Sequence, residues 1–164
     1  MADDLPRIKP DRESLQLLFL LICAENISKL YHNFNKEGKS RIYTRKFFEE
    51  IVPQQEREYL KNGFRHNIIN PNQKPLTLRE IIDFLYDVRC DVVHEGKYWQ
   101  FFFSDGKMSM QNIDPDVTVN ITLTQFRNIV VKVCIEAVKG YKQKPYNTAK
   151  GAVGRISQTT TYSV

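Results

Sequence analysis

Leu76-Thr77-Leu78-Arg79-Glu80-Ile81-Ile82-Asp83-Phe84-Leu85-Tyr86-Asp87-Val88-Arg89-Cys90-Asp91-Val92-Val93-His94-Glu95-Gly96 is the stretch from which the fold is read. Thr77 and Glu80 stand three apart, the spacing of a capping box in which the hydroxyl takes one backbone N–H and the carboxylate returns to another. Leu76 and Ile81 occupy the two positions of a hydrophobic staple. Leu78, Ile81, Ile82, Leu85, Val88 and Val92 then recur at helical spacing. The stretch predicts a core-facing helix running to about Val93 and stopped by Gly96.

Working towards the N-terminus, Asp11 or Ser14 can cap a helix through Leu15, Leu18, Phe19 and Ile22 to Leu30 and Tyr31. Its apolar residues go nearly all the way round, as in a central buried helix. Residues 33–38 end it. A shorter helical stretch over residues 45–52 is closed by Pro53, and a charged surface helix follows over 54–63. Residues 66–75, with two prolines, read as a loop.

Working towards the C-terminus, residues 97–103 and 107–113 alternate around Asp105-Gly106, a pair suited to a tight hairpin turn. That register sets Phe103 against Met108 and Phe101 against Met110, with Trp99 on the same apolar face. A second capping box, Thr122 to Gln125, opens a last helix that carries Phe126, Ile129, Val130 and Val133 and ends at Gly140. The expectation is a mainly α domain over residues 1–142, a helical bundle with a β-hairpin at about 97–113 inserted between the last two long helices. A basic, flexible C-terminal tail is expected over 143–164.

The charge of +5 is placed unevenly. Lys139, Lys142, Lys144, Lys150 and Arg155 are unaccompanied by any acid, so residues 1–138 sum to zero. Such a basic end can hold a phosphate backbone, with Lys139, Lys142, Lys144 and Lys150 as nucleic-acid contacts, or simply keep the chain soluble. The three cysteines are far apart and odd in number, which argues against a disulfide framework or zinc site and fits a reducing cytoplasm. The apolar run over residues 15–24 is shorter than the roughly 20 residues that a membrane span needs. Residues 1–11 carry acids and two prolines rather than a basic leader. Neither export nor membrane insertion is expected. Phosphate-loop, dinucleotide-binding and nucleophile-elbow motifs are absent, as is any paired-histidine metal motif, and no cofactor is expected.

What remains for chemistry is the end of the capped helix. Arginine, a few intervening residues and then histidine near a helix end, in an all-helical setting, resembles the HEPN superfamily. The string Tyr86-x-x-Arg89-x-x-x-Val93-His94-x-Gly96 looks most like its abortive-infection and toxin-type branches. The resemblance implies a homodimer that cleaves RNA without metal through attack of the 2′-hydroxyl, acting as a toxin or antiviral defence effector beside an antitoxin or other regulatory protein. In that reading Arg89 and His94 are catalytic. His94 moves protons, because imidazole titrates near neutrality. Arg89 holds the phosphate with its planar fork. Asp91 orients His94, Tyr86 shapes the cleft wall, and Glu25 supports the site from behind. A non-catalytic module of the same type, binding a nucleotide, RNA or a protein, is the alternative.

Read without the resemblance, His94 is a helix-end histidine favoured by the dipole, and Arg89 pairs with Asp87, Asp91 or Glu95. Arg41, Arg45 and Lys46 form a basic cluster that could touch RNA; His32 and His66 look solvated. Geometry adds a condition. Five residues of unbroken helix turn a side chain by about 140°. Arg89 and His94 meet one phosphate only if the helix breaks near residues 91–94, or if they act across a dimer interface.

Overall fold

The computed structural model describes residues 13–33, 38–67, 74–113 and 116–142, with side chains described to residue 140. In chain order the elements are α1 (Glu13–Tyr31), α2 (Ser40–Lys46), a π-helical turn (Phe47–Ile51), α3 (Gln54–Gly63), β1 (Phe64–His66), α4 (Leu78–Glu95), β2 (Met110–Asn112), β3 (Val117–Val119) and α5 (Leu123–Lys142). The fold is mainly helical with one small sheet. The tail beyond residue 142 lies outside the described residues, and with it Lys144 and Lys150.

α1 is the central helix and packs against α2, α4 and α5. Its inward face buries Leu17, Leu21, Ala24 and Ser28 completely. The expectation of burial all round is corrected: Phe19 is 43% and Leu30 58% exposed, and Cys23 is exposed too. By length and composition alone α1 is apolar enough to cross a membrane. Ser14 does not cap it. It lies inside the first turn, and its hydroxyl donates to the carbonyl of Tyr98.

The second helical stretch begins at Ser40, earlier than expected, and widens into the π turn, where the N–H of Val52 donates to Phe47 O at 3.0 Å. The extra residue brings Phe47 and Phe48 into the core side by side, ring centroids 5.1 Å apart and both fully buried. Phe126 of α5 stacks on Phe48 at 6.0 Å and lies 5.5 Å from Phe103, so one aromatic column joins three segments. Both capping boxes form. Thr77 Oγ1 accepts from Glu80 N at 3.3 Å while Thr77 N donates to the Glu80 carboxylate at 2.7 Å. Thr122 and Gln125 do the same at 3.1 and 2.8 Å. α5 runs through Gly140 to Lys142 instead of stopping there.

The expected hairpin over 97–113 is not formed. β3 is the middle strand of a three-stranded antiparallel sheet ordered β1-β3-β2, with Phe64 and Met110 both opposite Val119. Residues 97–103 remain outside the ladder because the Asn112 side chain takes the backbone of Phe102 from both sides, accepting from its N–H at 2.8 Å and donating to its carbonyl at 3.0 Å. Asp105-Gly106 does turn the chain, with Gly106 at φ +86° and Asp105 Oδ1 accepting from the N–H groups of Lys107 and Met108. The predicted common face divides accordingly: Phe101 and Phe103 are buried, whereas Trp99 and Met108 face solvent. His66 belongs to β1 and not to the loop assigned to it.

Candidate functional site

α4 places the candidate residues. It continues without interruption to Glu95 and closes at Gly96, whose φ of +67° lets its N–H return to the carbonyl of Asp91. The N–H of Lys97 reaches the same carbonyl at 3.2 Å. The helix therefore does not break between residues 91 and 94, and the two side chains diverge by about 140°.

Arg89 turns inward towards α1. Its Nη2 stands 3.1 Å from Glu25 Oε2, across elements 64 residues apart in sequence, and its guanidinium carbon lies 4.8 Å from the centre of the Tyr86 ring. The acidic partner is thus on another helix, not Asp87, Asp91 or Glu95. Glu25 is only 6% exposed and has three partners. Its Oε1 accepts from Lys29 Nζ at 2.6 Å and from the Ser40 hydroxyl at 2.7 Å, besides the contact of Oε2 with Arg89. Burial by itself would raise the Glu25 carboxyl. Hydrogen bonds from Lys29 and Ser40, with the charges of Lys29 and Arg89, outweigh it and hold the carboxyl below its ordinary value. The Arg89 Nε, shut off from solvent, has no hydrogen-bond partner.

Arg41 brings a second guanidinium to the Tyr86 ring, also at 4.8 Å, and pairs with Asp87. Arg45 pairs with Asp83, and Lys46 lies 4.0 Å from Glu50. The basic cluster of α2 is therefore matched by acids, mostly from the outer flank of α4. Tyr86 itself is nearly buried.

His94 is exposed at the far end of α4, and no hydrogen bond or ion pair joins it to Asp91 among the described residues. Asp91 contributes its main-chain carbonyl to the helix end. Lys139 is exposed near the end of α5, distant in sequence and element from Arg89. His32 is not solvated as expected. It is half-buried beside Tyr31 and Tyr43, with Nε2 3.3 Å from Glu50 Oε2. An open groove between α3 and α5, lined by Glu56, Tyr59, Gln125, Ile129 and Lys132, involves neither Arg89 nor His94. Among the described residues, no three His, Cys, Asp or Glu side chains gather as a metal site.

The structure thus brings together Glu25, Arg89 and Tyr86, and adds Lys29, Ser40 and Arg41, which the sequence reading did not place there. The signal for Lys29 was present as an i, i+4 pair with the lone interior acid of an apolar helix. Nothing local pointed to Ser40. Comparison with protein-family models, curated proteins and solved structures found no match.

Proposed function

We propose that this chain is a metal-independent endoribonuclease in which Arg89 binds the scissile phosphate and His94 transfers the proton, the two supplied by different copies of the chain. The observation that supports this reading is an arginine fixed by Glu25 and Tyr86 with, five residues on along the same helix, a solvent-facing histidine; because α4 is unbroken and the two side chains diverge, they serve one phosphate only when supplied by different copies. His94 acts as base towards the 2′-hydroxyl or as acid towards the leaving 5′-oxygen. The guanidinium balances charge developing on the phosphoryl oxygens. Glu25 serves Arg89 as a positioning residue, since a fixed fork loses less entropy when it engages an anion. A toxin or defence role in the cytoplasm, held in check by a regulatory protein, goes with this reading.

The test is incubation of wild-type and His94→Ala protein with mixed RNA in EDTA. Cleavage by the wild type alone, ending in cyclic phosphate, is the expected result; equal cleavage by both removes His94 from the chemistry. One observation favours a second reading, a module that binds RNA or nucleotides without cutting. Glu25 already neutralises Arg89, which weakens its hold on an incoming phosphate. Under that reading RNA is bound and left intact, with or without magnesium.

A further inference from the structure

We propose that Arg41 is a second phosphate-binding arm of the candidate site: it takes the RNA phosphate beside the one at Arg89, and Asp87 occupies it until the strand arrives. This rests on the reading that the site takes RNA, and it holds whether the strand is then cut or only bound.

Tyr86 is where two guanidinium groups meet. Arg89 reaches its ring from the same helix and Arg41 from α2, each with its central carbon 4.8 Å from the ring centre. The two carbons are therefore no further apart than twice that distance. Successive phosphates of a stacked strand follow one another at roughly 3.4 Å of rise, so one short stretch of backbone spans both arms. The arms also share a frame. Ser40, next to Arg41 in the chain, donates its hydroxyl at 2.7 Å to Glu25, the carboxylate that fixes Arg89.

Their acids set them apart. The Arg89 and Glu25 side chains are 17% and 8% exposed, and drawing Arg89 away would leave a buried carboxylate without its cation. The Arg41 and Asp87 side chains are 38% and 56% exposed. A pair so open to water contributes little, and an incoming anion displaces it at small cost. Its geometry is that of the complex it gives way to. Arg41 Nη2 donates to Asp87 Oδ1, while Nη1 stands 3.4 Å from Oδ2. An arginine fork takes two oxygens of a phosphate with the same two-pronged grip. Asp87 is thus a stand-in for the phosphate group, built into the helix that carries Arg89.

The other cations of α2 are less suited. Arg45 and its acid Asp83 are more enclosed, at 29% and 25%. Lys46 lies over Tyr43 and offers a point charge in place of a fork. Within the cluster itself, Lys29, Arg41 and Arg89 face Glu25 and Asp87, which leaves one positive charge in excess for an anion.

The test is titration of the full chain with a fluorescein-labelled single-stranded RNA whose 2′-hydroxyls are methylated, so that it lacks the attacking group and stays whole. Fluorescence anisotropy is read over a series of salt concentrations. Arg41→Gln should weaken binding several-fold and lower the slope of log Kd against log salt by about one, the mark of one lost phosphate contact. Asp87→Asn should act in the opposite sense and tighten binding several-fold, because it frees the fork. Two substitutions that both weaken binding, or both leave it unchanged, mark a merely structural pair and overturn the proposal. Arg79→Gln removes the same charge from another exposed pair, two turns earlier on α4, and should leave the slope unmoved. A drop equal to that of Arg41→Gln would be a general charge effect and overturns the site. Failure of the wild type to bind RNA overturns the site and both functional readings together. Incubation with unmodified RNA separates the rest. Cutting by a chain whose Arg41→Gln slope is unmoved removes Arg41 and leaves the nuclease reading intact. Binding that depends on Arg41 without any cutting upholds the site and removes the nuclease.

Discussion

Glu25 is a carboxylate taken out of water and given three donors, and its removal leaves those donors facing one another. Glu25→Ala strands Arg89 and Lys29 beside each other with no acceptor, and is expected to cost roughly 2–4 kcal/mol, somewhat under the range for a fully buried pair because Arg89 keeps 17% of its side chain in solvent. Urea unfolding measures it. The same carboxyl makes stability depend on acid. Its native pKa is lowered, so the folded state binds fewer protons than the unfolded chain. The contribution is complete above the ordinary carboxylate value of 4.5 and is lost as pH falls through the lower native value. Melting temperature should therefore drop more steeply below pH 5 for the wild type than for Glu25→Gln, and parallel curves would show that Glu25 is not the group responsible.

Each long helix has a start and stop whose energies are separable. Thr77→Ala removes one acceptor of the box that opens α4 and should lower stability by about 1 kcal/mol. Gly63, where α3 passes into β1, behaves differently. A Cβ there would come within 2.5 Å of Ile121 Cγ2, and Ile121 is 3% exposed. Gly63→Ala should destabilise by about 1–3 kcal/mol through overpacking, and Ile121→Ala, which removes the clashing Cγ2, should show a favourable coupling with it in a double-mutant cycle. α4 and α5 were legible because capping boxes and apolar spacing are local signals, complete within a few residues. The sheet was not. β3 finds β1 some fifty residues away, and the alternation over 97–103 was answered by one asparagine side chain instead of a strand. The π turn has no signature either, since a widened turn uses the same residues as an ordinary one.

At the scale of the molecule, the aromatic column of Phe48, Phe126 and Phe103 ties the π turn, α5 and the segment before β2 into one core. Phe126→Ala should cost about 3–5 kcal/mol, the loss expected when a fully buried ring leaves a cavity, and thermal unfolding of the whole domain should shift together rather than in stages. The candidate site was legible in part for a related reason. Arg89 and His94 stand out in sequence because they share one helix, and Tyr86 one turn earlier shares it too. Glu25 drew notice as a carboxylate on an apolar helix, but its pairing with Arg89 spans 64 positions, and the meeting of Ser40 with Glu25 depends on how α2 lies across α1. Contacts made by helix crossing leave no periodicity to read.

Trp99 is the sole tryptophan of the chain, half-exposed, with its indole edge-on to Tyr98 at 5.1 Å. The carbonyl of Tyr98 is in turn held by Ser14 in the opening turn of α1. The indole is thus mechanically coupled to the opening turn of the central helix by way of the Ser14 hydroxyl, and its emission gives the protein a native optical gauge. Loosening of that opening turn will register as a change in emission colour and polarisation, without any dye or label.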